Sequence, residues 1–226
     1  GSFAEYVVVD QSQLVKLPEE MPLESAALLA CGVITGFGAV VNRAQVKPMS
    51  SVVVIGTGGV GLNAVQGAAY SGARPVIAVD MLDNKLAAAR TFGATHTINA
   101  ARGDPIQAVK DLTSGRGADY VFVTVGSGAA IQQGFLMSGP RGTTVIVGLP
   151  PTKDSFTFTA FDFVRNERVL TGSFMGSTIA DSFVQGFPGL VAGRERNHVT
   201  QDAERLDEDK IALVAGLGIR RRAFFF

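Results

Sequence analysis

Three glycines, Gly56, Gly58 and Gly61, spell G-x-G-x-x-G directly after the apolar run Val52–Ile55. A strand that ends in such a turn and opens a helix presents unpaired backbone N–H groups and the positive end of the helix dipole, which together suit a pyrophosphate. Gly56 permits the sharp turn, Gly58 lets the backbone approach the phosphates because it has no Cβ, and Gly61 lets the helix pack closely on the strand. A chain with 27 glycines produces chance matches, so a second feature matters. Val76–Asp80 is another apolar run, and it ends in an acid 19 residues after Gly61. A carboxylate there accepts hydrogen bonds from ribose hydroxyls; the plain alternative is a glycine turn beside a solvated Asp80. The same charge repels a 2′-phosphate, and Met81 supplies no arginine to offset it, so the pair points to NAD rather than NADP.

The elements that must position these residues alternate along the chain. Strands are predicted at 52–55, 75–79, near Thr97-Ile98, at 120–125, at 143–147 and at 168–174, with helices at about 59–71, 83–92, 105–112 and 129–136 between them. Six strands in this pattern predict an α/β fold, a doubly wound parallel sheet of the Rossmann type with right-handed crossovers. Residues 156–163 alternate apolar and polar and predict an extended, half-buried segment. Upstream, 5–9 and 14–17 predict short strands. A helix over 25–30 is interrupted at Cys31-Gly32 and resumes over 33–42.

Composition narrows the class. Twenty acidic and twenty basic side chains cancel, which argues against a bulk electrostatic partner such as nucleic acid or a membrane surface. No apolar run approaches the length of a membrane span, and a single cysteine excludes an internal disulfide framework and suits the cytoplasm. The chain opens Gly-Ser-Phe-Ala-Glu-Tyr without an initiator Met, like the middle of a longer protein. Residues 193–226 carry 13 charged side chains in 34 positions, a change of composition that points to a truncated or frame-shifted tail. Within it, 203–215 fit one amphipathic helix, and Arg220–Phe226 reads as a docked or frayed terminus.

Several stretches carry a resemblance: Gly1–Tyr6, Leu28-Leu-Ala-Cys-Gly-Val-Ile-Thr-Gly-Phe-Gly38, Val54–Leu62, Val79–Lys85, Gly93-Ala-Thr-His96 and Val145–Pro150. On these the chain resembles the medium-chain zinc alcohol dehydrogenases, most of all the glutathione-dependent formaldehyde dehydrogenase branch. The resemblance implies three parts: a remnant of a GroES-like catalytic domain over 1–30, the NAD-binding Rossmann domain over 31–177, and an atypical tail over 178–226. It implies Cys31 as a catalytic zinc ligand and Thr35 beside the nicotinamide end. It implies Gly56, Gly58, Gly59 and Gly61 at the pyrophosphate, and Val60 behind the nicotinamide ring. Asp80 and Lys85 would hold the adenosine ribose, and Thr124, Val125 and Gly126 would line the adenine side. Val147, Gly148 and Leu149, with Phe174 and Met175, would approach the carboxamide. Plainer roles stand beside these: Lys85 on a solvated helix face, Thr35 bonded to its own helix turn, and Cys31 as a small hydrophobe.

The resemblance implies hydride transfer between an alcohol or aldehyde and NAD, with zinc in the parent protein. The sequence supplies one cysteine and two histidines, His96 and His198, in other contexts, whereas a catalytic zinc needs three protein ligands and an open position. The fragment itself is therefore expected to bind NAD and to turn over alcohol poorly. The rivals are an isolated dinucleotide-binding module and a zinc-free quinone reductase of the same superfamily. A homodimer through the sheet edge near Val169–Phe174 is implied by the resemblance and fits an exposed apolar strand; the bared surface would promote aggregation.

Overall fold

In a computed structural model of the 226-residue chain, the structure describes Val8, Leu14–Lys16, residues 26–177 and Ala223–Phe225. Contacts divide the chain into two compact units, Gly32–Ser177 and the remainder. In the remainder, Leu14–Lys16 pairs antiparallel with Ala223–Phe225, Leu14 opposite Phe225. Of residues 5–9 only Val8 is described, exposed and without regular structure, and the amphipathic pattern over 203–215 and His198 lie outside the described residues.

The unit Gly32–Ser177 holds six strands: β1 (Val52–Ile55), β2 (Val76–Asp80), β3 (His96–Asn99), β4 (Ala118–Val123), β5 (Ser138–Ile146) and β6 (Val169–Gly172). They lie in the order β3-β2-β1-β4-β5-β6, every neighbouring pair parallel. The helices are α1 (Ile34–Gly38), α2 (Gly59–Tyr70), α3 (Asp83–Thr91), α4 (Pro105–Leu112), α5 (Gly128–Met137) and α6 (Ala160–Arg165). The doubly wound sheet expected from the alternation of elements is thus present.

Burial explains why the central strands are so apolar. All four residues of β1 are buried, because a parallel strand is covered on both faces. Successive side chains point to opposite faces. Val52 and Val54 join Ala64, Val65, Ala68 and Ala89 in one core layer, beneath α2 and α3. Val53 and Ile55 join Val109, Ile131 and Met137 in the other, beneath α4 and α5.

This two-sided burial leaves the register of β1 unspecified by alternation, since a slip of one residue would exchange one apolar layer for another. Polar contacts at the strand ends settle it. At the amino end, the Asp119 carboxylate accepts from Ser51 N (2.8 Å) and Ser51 Oγ (2.7 Å), while Ser51 O accepts from Asp119 N (3.1 Å). At the carboxyl end, Thr124 N donates to Ile55 O (3.0 Å), and Thr124 Oγ1 donates to Gly56 O (2.7 Å) and Ile55 O (3.0 Å).

Two expectations are corrected. The helix is not interrupted at Cys31-Gly32. Helical backbone continues through a π-turn over Leu29–Val33, then α1, then a second π-turn over Ala39–Arg43. Glycine propensity favours a break at Gly32, but a single helical glycine costs only about 1 kcal/mol. Residues 156–163 are not one extended segment either, because α6 begins at Ala160. The helical turn gathers aromatics onto Phe135, whose ring centroid lies 5.1 Å from that of Phe158 and 6.0 Å from that of Phe163. The Arg168 guanidinium sits 5.0 Å over the Phe135 ring, and burial holds its pKa below the ordinary arginine value against the opposing pull of Asp162. Phe161 and Val164 point outward and are exposed.

Candidate functional site

A parallel sheet brings the carboxyl ends of all its strands to one crest, and the site residues lie along it. Gly56–Gly61 follow β1, Asp80 closes β2, Thr124–Gly126 follow β4, Val147–Leu149 follow β5, and Phe174 and Met175 follow β6. The chain runs outward from β1 to β3 and then returns to β4 on the other side, so the crevice between the ends of β1 and β4 is the topological switch point, where such sheets bind ligands.

The glycine turn has two packed positions and two open ones. Gly56 has φ +87°, and a Cβ there would lie 2.4 Å from Val125 Cγ1. A Cβ on Gly61 would lie 1.8 Å from Gly56 O, closer than any real contact. At Gly58 and Gly59 the same added atom would meet nothing within 4 Å. The turn is therefore tight on the protein side and vacant on the outer side. Gly59, Val60 and Gly61 open α2, and first-turn amides of a helix have no carbonyl one turn earlier to bond. Gly36 of α1 packs on this start, since its Cβ would lie 2.0 Å from Val60 O; Val60 is half-buried.

Asp80 is half-buried and held on both oxygens. Oδ2 accepts from Thr57 N (2.7 Å) and Thr57 Oγ1 (3.0 Å); Oδ1 accepts from Met81 N (2.8 Å) and Leu82 N (3.1 Å). Burial alone would raise its pKa and is the largest single influence, but the Thr57, Leu82 and Met81 bonds together outweigh it and hold the carboxyl below its ordinary value. Thr57, 1% exposed, is thus part of the site. Its position between Gly56 and Gly58 is the one signal of this role in the sequence.

The other residues divide. The Thr124 hydroxyl is spent on the glycine turn. Val125 is 37% exposed beside Gly56. Gly126 packs on the β5 loop, where its Cβ would lie 2.2 Å from Leu149 O. Val147 N and Gly148 N both donate to Val123 O, at 2.9 and 3.0 Å, while Leu149 and Phe174 are exposed. Thr35 and Met175 meet, with Thr35 Oγ1 donating to Met175 Sδ at 3.8 Å. Lys85 is exposed on α3, and no side-chain hydrogen bond or ion pair ties it to Asp80. His96 is exposed on β3, its Nδ1 2.9 Å from Thr95 Oγ1.

Asp154 is a further residue the sequence did not flag. Its Oδ2 accepts from Gly128 N (2.6 Å), and Oδ1 from Ser155 N (3.1 Å), so alongside the N-cap Ser127, whose side chain accepts from Ala130 N, it satisfies a second first-turn amide of α5 and ties down the loop after Leu149. Loss of such a cap costs about 1 kcal/mol. Asp154→Ala should lower the melting temperature by about 2–4 °C in differential scanning calorimetry; an unchanged melt would mean that the cap contributes nothing.

Residues 59–190 match the family model described as zinc-binding dehydrogenase, and with the glycine turn and the anchored acid in place this decides the family. The chain belongs to the zinc-binding dehydrogenases. It is 37% identical over 180 residues to alcohol dehydrogenase 1 of Pisum sativum, covering 78% of this chain and 47% of that one. The fold superposes on the alcohol dehydrogenase zinc-binding domain protein of Burkholderia ambifaria with a TM-score of 0.75 at 36% identity, covering 78% of this chain and 47% of that one. It superposes equally, with a TM-score of 0.75 at 34% identity, on benzyl alcohol dehydrogenase of Acinetobacter calcoaceticus, covering 78% and 48%. The chain spans about half the length of the relatives it matches. In this zinc-binding dehydrogenase Cys31 is exposed in its π-turn. Among the described residues no three His, Cys, Asp or Glu side chains come together in a way that could hold a metal ion, so these donors do not make a tetrahedral zinc site.

Proposed function

We propose that the chain is the NAD-binding part of an alcohol dehydrogenase, serving hydride transfer between an alcohol or aldehyde and the nicotinamide. The observation that carries this reading is the turn Gly56–Gly61, closed toward the protein and open outward at Gly58 and Gly59, one strand away from a carboxylate fixed by Thr57. The residues fit a dinucleotide. The first-turn amides of α2 would take the pyrophosphate, and Asp80 would accept the ribose hydroxyls, sharing its oxygens with Thr57. Thr35, Met175 and the ends of β5 and β6 would bound the far end of the crest. Bound there, the nicotinamide would supply the hydride-accepting ring; the chain's part is to hold and orient it. In the parent protein Cys31 would contribute one zinc ligand, and the remaining ligands would come from elsewhere. A homodimer through β6 is supported by its place at the sheet edge and by Val169, which is 47% exposed.

The second reading, a dinucleotide-binding module without catalysis, is favoured by the lack of a metal cluster among the described residues. Isothermal titration of the 226-residue chain, beside an absorbance assay for reduced nicotinamide, tests the two. NAD should bind at least about fivefold more tightly than NADP, because a 2′-phosphate beside Asp80 meets a repulsion of about 1–4 kcal/mol. Equal affinities, or none, would overturn the first reading. An alcohol-dependent rise in reduced-nicotinamide absorbance would overturn the second.

A further inference from the structure

Three residues after Gly172, the last residue of β6 to pair with β5, the chain makes an unusual turn. Met175, Gly176 and Ser177 have φ of 49°, 66° and 51°, three consecutive left-handed residues of which only one is glycine. Such backbone persists where its surroundings over-determine it, and here they do. Gly176 lies against α1, where a Cβ would fall 2.0 Å from Ile34 O. A Cβ on Gly38 would likewise fall 2.6 Å from Gly176 O. Asn42 Nδ2 donates to Gly176 O (3.4 Å), and Ser177 N closes the turn on Phe174 O (2.9 Å).

Arg43 secures the strand that feeds this turn. Its Nε donates to Gly172 O at 2.9 Å, and its Nη2 donates to Thr171 Oγ1. Among the described residues β6 is an edge strand, and a guanidinium takes up the carbonyl of Gly172. Arg43 ends the second π-turn of the helical segment that also carries Thr35. This planar fork ties the helical segment to the end of β6, as the packing of Gly176 on Ile34 and Gly38 and the Asn42 bond tie it to the turn, and together they hold Thr35 and the segment Ser173–Met175 at the far end of the crest. Lysine has no such fork and would keep one bond at most.

We infer that Arg43 is a positioning residue for the nicotinamide end of the site, acting through the β6 end and the left-handed turn. The inference rests on the dinucleotide reading and goes beyond it, because Arg43 touches none of the residues that hold the phosphates or the ribose. It separates the two ends of the ligand: ADP-ribose, which lacks the nicotinamide, should not sense Arg43, whereas NAD should.

The test titrates NAD and ADP-ribose into the full chain and into R43M, R43K and R141M. The last removes an exposed charge paired only with Glu167. R43M should raise the Kd for NAD about fivefold and leave that for ADP-ribose within about twofold, R43K should fall between, and R141M should match the parent chain. Amide exchange supplies a ligand-free arm. R43M should speed exchange at Ser177 N about fivefold and leave Gly56 N, bonded to Val79 O at 2.8 Å, unchanged. An R43M chain that keeps its NAD affinity, loses both ligands by the same factor, or exchanges Ser177 at the parent rate overturns the inference. A parent chain that takes up neither ligand overturns the dinucleotide reading, and the inference falls with it.

Discussion

Gly61→Ala should unfold the chain at a lower temperature and abolish dinucleotide binding, whereas Gly58→Ala should abolish binding alone. The contrast comes from two empty volumes of different kinds. At Gly61 the methyl would sit 1.8 Å from Gly56 O, a backbone atom held in turn by Thr124 Oγ1. No side-chain rotation relieves this, so α2 must move off β1. Overpacking of this kind costs about 1–3 kcal/mol, and a backbone neighbour places it at the upper end, about 6–12 °C in melting temperature for a domain of this size. At Gly58, with φ −73°, the backbone already suits an alanine, and the methyl meets nothing within 4 Å. The melt of Gly58→Ala should therefore stay within about 1–2 °C of the parent, because a surface substitution away from packed features moves stability by only about 0.5 kcal/mol. The methyl would still occupy the ground a phosphate must approach, and NAD affinity should fall by about a hundredfold or more. Scanning calorimetry and titration on the two variants check this. Retained NAD affinity in Gly58→Ala would show that the outer side of the turn is not where the ligand lies.

Replacing Asp80 should act on affinity, selectivity and acid stability together. The Asp80→Asn amide keeps one oxygen, but its NH2 then faces two of the four donors that the carboxylate accepts. Mispairing of this kind should cost about 1–2 kcal/mol of stability at pH 7. NAD affinity should fall about ten- to a hundredfold as the charged bonds to the ribose are lost. NADP should suffer less, since its repulsion is removed as well, and the NAD preference should shrink to about threefold. The pH dependence has a defined sign. The folded-state pKa of Asp80 is held below its ordinary value, so its stabilising share is complete above the unfolded value of about 3.9 and drains away as pH falls through the lower, folded value. Urea titrations of parent and Asp80→Asn should therefore differ by a constant amount from about pH 5 to 8 and converge below about pH 4. A gap that widens on acidification would refute this account of the carboxylate.

The expected fold was legible where one physical rule dominated. Val52–Ile55 and Val76–Val79 are apolar on both faces because both faces are covered, and the glycine turn and Asp80 announce themselves by spacing alone. Thr57 is marked only by its place between Gly56 and Gly58 and Asp154 not at all, because an Asp or Thr near a turn has many local partners, and only the folded crest shows that these two bond across it. Arg43 was hidden by distance: its partners Thr171 and Gly172 lie about 130 residues on, and no local pattern encodes that pairing. Residues 156–163 misled because an apolar-polar alternation of eight residues also fits a bend that collects Phe158 and Phe163 onto Phe135. The interruption placed at Cys31-Gly32 came from glycine propensity; nothing lies within 4 Å of where a Gly32 Cβ would be, so no packing demand calls for glycine there.

The paired Ser51 and Asp119 sit at the foot of the sheet, at the opposite ends of β1 and β4 from the glycine turn. An engineer who rewrites the mouth for another nucleotide would disturb the upper fastening by Thr124 and still leave the central strands aligned from below. Tolerance of new ligand chemistry is thus built into the scaffold, since alignment is guarded where no ligand reaches.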